Sequence, residues 1–243
     1  MPIVTVNHLN FSYPAGKPVL KDVTLAVEPG ESLGIIGANG VGKSTLLKLF
    51  VGLEGVEPGA LSVCGLPVTK ASLPGIRAKC GYVFQDSDSQ MFMATVGEDV
   101  AFAPKNYGLS ADAVTKRVDA ALAAVHIEEL RDAKNYQLSG GQKKLASIAT
   151  ILSMEPELIL MDEPSVALDP KNRRNLIHVL KELSGTLIIA SHDLDFIYDT
   201  CERTVLMAGG TVIADGETRV LLKDQSLLEA NGLELPLSFT VRA

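Results

Sequence analysis

The sequence has few cysteines and no long apolar run. Its three cysteines, Cys64, Cys80 and Cys201, lie far apart and outside any CxxC pair, so we interpret them as structural thiols rather than a zinc site or a disulfide framework. No apolar run approaches the roughly 18–20 residues that span a bilayer. Residues 1–10 lack the basic start and the apolar stretch of a signal peptide, so we expect a protein that stays in the cytosol.

Basic residues are fewer than acidic residues. The chain has 22 lysines and arginines against 29 acidic residues, which gives a net charge of −7. Proteins that bind nucleic acids normally carry a basic stripe that displaces counterions from phosphate groups. The charge balance therefore argues against a nucleic-acid partner. The contents of 47% hydrophobic and 21% charged residues are ordinary for a folded globular protein.

Short apolar segments alternate with amphipathic segments along the chain. Alternating apolar residues at Val23, Leu25 and Val27 predict a half-buried strand. Three apolar runs bounded by turns predict strands buried on both faces, as in a parallel sheet: 33–36, 158–161 and 186–190. Apolar residues at helical spacing in 114–125, and Asp169 as an N-cap before Pro170, predict two helices. A hairpin is expected over 205–214, and together these elements indicate an α/β fold.

A glycine-rich loop follows the strand predicted at 33–36. It reads Gly37-Ala38-Asn39-Gly40-Val41-Gly42-Lys43-Ser44, which fits the phosphate-binding pattern G-x-x-x-x-G-K-[ST]. Glycines allow the backbone to turn so that successive N–H groups point inward at phosphate. Lys43 is then expected to reach the β- and γ-phosphates and Ser44 to supply an oxygen to Mg²⁺. The helix that continues through Thr45 directs its positive end at the same anion.

Two carboxylates end the apolar run 158–161. Asp162 is predicted to hold Mg²⁺, usually through water, and Glu163 to polarise the attacking water. Acids at a strand end are often only solvated, but here they accompany a phosphate-binding loop. The two motifs together predict a site for a magnesium nucleotide.

A second glycine-rich segment precedes a helix with apolar positions at Leu145, Ile148 and Leu152. It reads Leu138-Ser139-Gly140-Gly141-Gln142. A serine, two glycines and a helix N-terminus favour a second anion site, although a plain serine N-cap is the alternative. The segment resembles LSGGQ, the signature of the ATP-binding cassette (ABC) family, and a P-loop kinase or GTPase would leave it unexplained. In that family the signature of one subunit closes over the γ-phosphate bound by its partner.

Other landmarks of the family follow in order. Gln85 matches the Q-loop glutamine, which senses Mg²⁺ and the γ-phosphate and couples to a transmembrane partner. His192 matches the switch histidine that contacts the γ-phosphate, and Ala167-Leu168-Asp169 matches the D-loop. Tyr13 matches the aromatic residue that stacks on adenine, with Phe11 as a nearby rival. The resemblance spans nearly the whole chain and implies an ATPase that uses ATP and Mg²⁺.

Within the family, the sequence is similar to the ATPase subunits of energy-coupling-factor importers, which include cobalt and nickel importers. The likeness rests on residues 84–92, 95–102, 106–109, 162–170 and 228–236. Two departures are Leu145, where a basic residue is usual, and Ala103, where glycine is common. The alternatives are an exporter, an importer that uses a soluble binding protein, and a non-transport ABC ATPase that acts on DNA or ribosomes.

The resemblance implies a RecA-like P-loop core with a parallel sheet, an N-terminal antiparallel β subdomain and an inserted helical subdomain. We expect one ABC ATPase domain, with 1–85 and 156–225 forming the β subdomain and the nucleotide-binding core, 86–155 the helical subdomain and 226–243 a tail. The tail is expected to cap the domain or form an interface. Glu163, His192 and Gln85 are the expected catalytic residues, and Ser44, Gln85 and Asp162 the expected Mg²⁺ ligands.

The resemblance also implies partners at the cytoplasmic face of the cell membrane, where the chain is expected to be peripheral. A second ATPase subunit, either a second copy of this chain or a paralogue, is expected to pair head to tail, so that the signature residues corresponding to Ser139 and Gly141 complete the nucleotide cage. A transmembrane scaffold protein and a substrate-binding membrane protein are the other expected partners. The adjacent residues Met91, Phe92 and Met93 are predicted to line the docking groove. Packing of these side chains within the helical insertion is the alternative.

Overall fold

The computed structural model describes residues 1–14, 16–57, 59–166 and 168–240, the side chain of Thr240 excepted. The strands are β1 (Val4–Ser12), β2 (Pro18–Val27), β3 (Ser32–Ile36), β4 (Leu61–Val63), β5 (Leu66–Pro67), β6 (Cys80–Val83), β7 (Leu158–Asp162), β8 (Thr186–Ala190), β9 (Arg203–Ala208) and β10 (Thr211–Glu217). The α-helices are α1 (Lys43–Phe50), α2 (Leu73–Lys79), α3 (Val96–Asn106), α4 (Ala111–Ala124), α5 (Gly140–Leu152), α6 (Pro170–Glu182), α7 (Leu194–Thr200), α8 (Thr218–Leu221), α9 (Gln225–Ala230) and α10 (Leu237–Thr240).

The central sheet has the strand order β10-β9-β3-β8-β7-β6. Strands β9, β3, β8, β7 and β6 run parallel, and β10 pairs antiparallel with β9 across the predicted hairpin turn. Strands β7 and β8 are buried along their whole length, which is why they read as unbroken apolar runs. The expected α/β architecture is therefore confirmed, and the carboxyl ends of β3, β7 and β8 lie side by side.

A smaller antiparallel sheet, in the order β2-β1-β4-β5, packs against the other side of α1. The predicted alternation in β2 holds, since Val23, Leu25 and Val27 are buried while Thr24 and Ala26 are exposed. Leu46 and Phe50 of α1 belong to the same buried cluster. Helix α1 is thus held between the two sheets, and its first turn is fixed beside the glycine-rich loop.

Helices α3, α4 and α5 occupy the stretch between β6 and β7. The predicted apolar face of α4 is confirmed by the burial of Val114, Val118 and Leu122, with Val125 buried at the helix end. Helix α3 starts with a reciprocal capping box between Thr95 and Glu98. The three helices pack on one another and α5 packs on β6, so the helical part stands next to the edge strand of the central sheet.

The C-terminal segment packs onto the domain, which is the first of its two expected roles, to cap the domain or to form an interface. Leu228 and Leu233 are buried, and the ring of Phe239 meets that of Tyr198 edge to face at a centroid distance of 5.0 Å. The backbone N–H of Ser238 donates to the carboxylate of Asp195 in α7. Among the described residues, no helix is long and apolar enough to cross a bilayer. The division of the chain into three parts stays a prediction.

Gly81 of β6 allows α5 to approach the central sheet closely. A Cβ atom at this position would lie 1.7 Å from Cγ2 of Ile151 in α5, closer than any van der Waals contact. The contact joins the strand that leads to Gln85 with the helix that follows the signature. Only glycine leaves room for this contact without displacing the helix.

We expect Gly81→Ala to lower the free energy of unfolding by about 1–3 kcal/mol, because overpacking forces the helix or the side chain of Ile151 to move. Urea unfolding measures the change. Gly216→Ala is the matched control, since a Cβ there meets none of the described residues within 4 Å and Gly216 also lies in a strand. Equal unfolding midpoints for the two variants would contradict the close packing of α5 on β6.

Candidate nucleotide site

The glycine-rich loop connects the end of β3 to the start of α1. Gly37 and Gly42 have φ angles of 149° and 108°, which side-chain-bearing residues rarely adopt. A Cβ at Gly37 would also lie 2.3 Å from the carbonyl oxygen of Met207, and one at Gly42 would lie 2.6 Å from Cδ2 of Leu20. Glycine at these two positions is therefore required by the loop conformation and by close packing.

The side chain of Lys43 is buried inside the curve of this loop. Its Nζ donates to the carbonyl oxygen of Gly37 at 2.7 Å and to that of Ala38 at 3.3 Å, and it lies 3.8 Å from Oε1 of Glu163. Burial lowers the pKa of the Lys43 ammonium, while the nearby carboxylates act in the opposite direction. The loop thus holds a desolvated positive charge, which is suited to a phosphate group.

The hydroxyl of Ser44 and the carboxylate of Asp162 meet across the junction of α1 and β7. Ser44 Oγ donates to Asp162 Oδ1 at 2.8 Å, and the hydroxyl of Tyr82 donates to Oδ2 at 3.4 Å. Burial raises the pKa of Asp162, and the hydrogen bond from Ser44 acts against that rise. Hydroxyl and carboxylate oxygens are ligands that Mg²⁺ prefers, so this pair fits the expected metal.

Glu163 lies at the end of β7 in a strained backbone conformation, with a φ of 47°. Its N–H donates to the carbonyl oxygen of Ala190 at 2.8 Å, which joins the ends of β7 and β8. The carboxylate oxygen Oε2 accepts hydrogen bonds from Ser191 Oγ at 2.9 Å and from the N–H of His192 at 3.2 Å, and it lies 2.9 Å from His192 Nδ1. The buried carboxylate is thus aimed by two successive residues of one loop.

A cleft of about 510 Å³ brings most of the predicted site residues together. It is lined by Tyr13, Val19, Asn39, Gly40, Gly42, Lys43, Ser44, Thr45, Gln85, Glu163 and His192. Tyr13 shares a hydrogen bond with Thr45 at 3.2 Å between the two side-chain oxygens, and Phe11 touches it edge to face. Tyr13, unlike Phe11, lines the cleft among the described residues. Its stacking on adenine remains a prediction.

The signature segment lies elsewhere in the chain. Ser139 is the N-cap of α5, with its Oγ accepting from the N–H of Gln142 at 3.3 Å while Gln142 Oε1 accepts from the N–H of Ser139 at 2.9 Å. Ser139 therefore has the plain capping role that the sequence left open. None of the described residues that line the cleft comes from 138–142. A second anion site at Ser139, Gly140 and Gly141 stays a prediction.

The D-loop segment runs beside the signature. Ala167 lies outside the described residues, but Asp169 is confirmed as the N-cap of α6 and accepts from the N–H groups of Lys171 and Asn172, each at 2.9 Å. These backbone hydrogen bonds lower the pKa of Asp169. A Cβ on Gly141 would lie 2.3 Å from Nδ2 of Asn172, so the signature packs against the first turn of α6, which directly follows the D-loop.

Lys144, which the sequence motifs did not single out, links the signature helix to the Q-loop. Its side chain is buried, and its Nζ donates to the carbonyl oxygens of Phe84 at 2.9 Å and Gln85 at 2.8 Å. Burial lowers its pKa to about 8. Gln90 reinforces the link, because its side chain bonds the N–H of Phe84 and the carbonyl oxygen of Ser147. Helix α5 is therefore hydrogen-bonded directly to the backbone at Gln85.

Arg173 provides a similar link to the switch histidine. Its guanidinium donates twice to the carboxylate of Asp193, at 3.1 and 3.2 Å, and stacks over Phe196. Asp193 directly follows His192 and is the N-cap of α7. Helix α6, which starts at the D-loop, is thus tied to the loop that carries His192. Sequence patterns offered no signal for this pair, because the partners are 20 residues apart on different elements.

Comparison with known proteins assigns the family. The ABC transporter family model matches residues 20–166. An ABC transporter ATP-binding protein of Gloeobacter violaceus is 45% identical over 239 residues, which cover 98% of each chain. The energy-coupling factor transporter ATP-binding protein EcfA of Carboxydothermus hydrogenoformans is 38% identical, with 96% of this chain and 87% of that protein covered. The cobalt import ATP-binding protein CbiO of Rhodobacter capsulatus is 39% identical, with coverages of 97% and 86%.

A solved structure shows the same fold. CbiO1 from Clostridium perfringens, described as part of the ABC transporter complex CbiONQ, superposes with a TM-score of 0.85 at 37% identity and covers 97% of this chain and 96% of its own. The chain therefore belongs to the ABC transporter family. It is an ATP-binding, ATP-hydrolysing subunit of a transporter.

We expect Glu163→Gln to bind ATP normally and to hydrolyse it about 10²–10⁴-fold more slowly, because an amide cannot take a proton from the attacking water. Single-turnover hydrolysis and a nucleotide-binding titration separate the two effects. Glu157→Gln is the control, since Glu157 directly precedes the other end of β7 and is exposed. Turnover close to that of the control would remove Glu163 from the chemical step.

We expect Lys144→Met to lower kcat at saturating ATP while leaving nucleotide affinity nearly unchanged. The substitution leaves two carbonyl oxygens of the Q-loop without their donor, at a cost of about 1–3 kcal/mol. Lys144→Arg should restore part of the loss, and Lys143→Met is the control on the adjacent residue, whose partner Asp88 is exposed. Equal kcat values for Lys143→Met and Lys144→Met would argue against a positioning role.

Proposed function

We propose that the chain powers an importer of the energy-coupling-factor type that carries cobalt or nickel ions or a vitamin. The observation that carries this proposal is the end-to-end similarity to ATPase subunits named for energy-coupling factor transport and cobalt import. The segments 84–92 and 228–236 resemble those of energy-coupling-factor ATPase subunits and agree with that assignment. Gln85 is the one residue of these two segments that lines the cleft within the described part of the chain.

Within this proposal, Lys43, Ser44 and Asp162 hold the triphosphate and Mg²⁺. The metal, when bound, neutralises charge that develops on the phosphates. Lys43 exchanges its bonds to the carbonyls of the loop for bonds to phosphate oxygens. Glu163 orients the attacking water, and its bonds to Ser191 and His192 keep the carboxylate in place. Gln85 and His192 line the same cleft and report the presence of the γ-phosphate.

A second ATPase subunit completes the site in this proposal. The cleft is lined by residues of the glycine-rich loop, the Q-loop and the switch loop, whereas 138–142 lie outside it within the described part of the chain. A head-to-tail partner supplies Ser139 and Gly141, whose helix N-terminus suits an anion. Hydrolysis then removes the shared anion, and the two subunits separate. The couplings through Lys144 and Arg173 carry that change into the Q-loop and into α6.

The membrane partner is proposed to dock on the surface that follows the Q-loop. Met91 is buried and packs within the helical part, so it does not line the predicted docking groove. Phe92 is 63% exposed and meets Phe102, itself exposed, edge to face at 4.8 Å. The buried carboxylate of Asp99 accepts from the N–H groups of Phe92 and Met93 and fixes the segment. Exposed aromatic residues on an anchored segment suit a partner helix.

Affinity capture of the tagged chain from native membranes in mild detergent, followed by mass spectrometry, tests the proposed function. We expect a membrane scaffold protein and a substrate-binding membrane protein to co-purify with the chain. The identity of the substrate-binding protein would indicate the class of transported substrate. Ordinary permease subunits would assign the chain to another type of transporter. Ribosomal or DNA-associated proteins without membrane partners would overturn the transport assignment while leaving the ATPase standing.

In the same capture, Phe92→Asp is expected to lose the membrane partners and to keep ATP binding, because a charge replaces the exposed ring in the apolar contact. Ile213→Asp is the control, since Ile213 is 47% exposed on β10, at the opposite edge of the central sheet. Membrane partners retained by Phe92→Asp at the level of the control would move the docking surface elsewhere.

A further inference from the structure

Two cysteines that are separate in the sequence lie side by side in the fold. Cys64 occupies the two-residue turn between β4 and β5, where its φ of 50° and that of Gly65 at 75° form a tight hairpin. Cys80 is the first residue of β6. Their Sγ atoms are 3.6 Å apart, although the residues are 16 positions apart in the chain. The expectation of three isolated structural thiols thus misses this pair.

The two thiols differ in their chemistry. The hydrogen bond between the two sulfur atoms lowers the pKa of the Cys64 thiol, and the same bond, with burial, raises the pKa of Cys80. Both side chains are only partly buried, so a small oxidant in solution can reach them. Cys201 differs, because it is buried and burial raises its pKa to about 12. Thiolates are the reactive form of cysteine. Cys64 lies in a hairpin turn, whereas Cys80 lies within a strand of the central sheet, so we assign Cys64 as the nucleophile.

We propose that Cys64 and Cys80 are a site of oxidative modification, at which a peroxide converts the two thiols into an intramolecular disulfide. The thiolate of Cys64 attacks one peroxide oxygen, the O–O bond breaks, and hydroxide leaves and takes up a proton to give water. Cys64 is then a sulfenic acid. The sulfur of Cys80 attacks the sulfur of Cys64, the S–O bond breaks, and the hydroxyl leaves with the thiol proton as a second water. Two thiols are oxidised and one peroxide is reduced to two waters.

The geometry requires only a small movement for this reaction. The sulfur atoms must close from 3.6 Å to about 2.05 Å. The turn that carries Cys64 is a hairpin tip between two short strands, and Ile3 holds it through one backbone hydrogen bond at 2.7 Å. The bond would join the antiparallel sheet to β6, the strand that leads to Gln85. In a reducing compartment such a bond is transient.

The test is treatment of the purified full chain with hydrogen peroxide, with the thiols counted after denaturation. Two of the three thiols should be lost, and the mass of the chain should fall by two hydrogens. Peptide mapping without reductant should find the Cys64 peptide joined to the Cys80 peptide, and dithiothreitol should restore all thiols. Retention of all thiols, or disulfides only between different chains, would overturn the proposal.

Three variants assign the steps. Cys201→Ser should still form the bond and lose both remaining thiols. Cys80→Ser should stop at a sulfenic acid on Cys64, which dimedone traps, and Cys64→Ser should leave Cys80 largely unoxidised at the same peroxide dose. Sulfinic acids on separate cysteines in the unmodified sequence, with no joined peptide, would show that the two sulfurs do not react with each other.

Discussion

The buried carboxylate of Glu163 is the group on which the arrangement of the site depends. It ends β7 in a left-handed backbone conformation and takes hydrogen bonds from Ser191 and His192 at the end of β8, while Lys43 at the start of α1 lies 3.8 Å away. A buried charge is costly unless it is paired and hydrogen-bonded. The requirement to satisfy this carboxylate therefore holds the ends of two parallel strands and the first turn of α1 in one position.

Two further contacts extend this arrangement beyond the cleft. The buried ammonium group of Lys144, in the signature helix, donates hydrogen bonds to the Q-loop backbone. Gly81 of β6 allows the same helix to lie against that strand. Arg173 joins the helix that follows the D-loop to Asp193, beside His192. These contacts connect the loops that line the cleft with the helical part, on whose surface Phe92 is exposed.

The motifs made much of the site predictable. The glycine-rich loop, Asp162 and Glu163 are predicted from local patterns with a chemical use, whereas Gln85 and His192 are predicted from the resemblance to the ABC family. Gln85, Glu163 and His192 line the same cleft as the loop. Ser191, Lys144 and Arg173 could not be predicted, since serines, lysines and arginines are common and only their long-range partners distinguish them. Met91 shows the same limit, because three adjacent apolar residues do not reveal which side chain turns inward.

The sequence by itself determined the family of the protein, the strands β3, β7 and β8, the hairpin of β9 and β10, and the helix cap at Asp169. These features depend on motifs, spacing and local propensity, which involve residues close together in the sequence. Tertiary structure alone decided that Cys64 meets Cys80, that Lys144 reaches the Q-loop, and that the signature lies outside the cleft lined by the described residues. Those contacts join residues far apart in sequence, and their distances follow from how the sheets and helices pack.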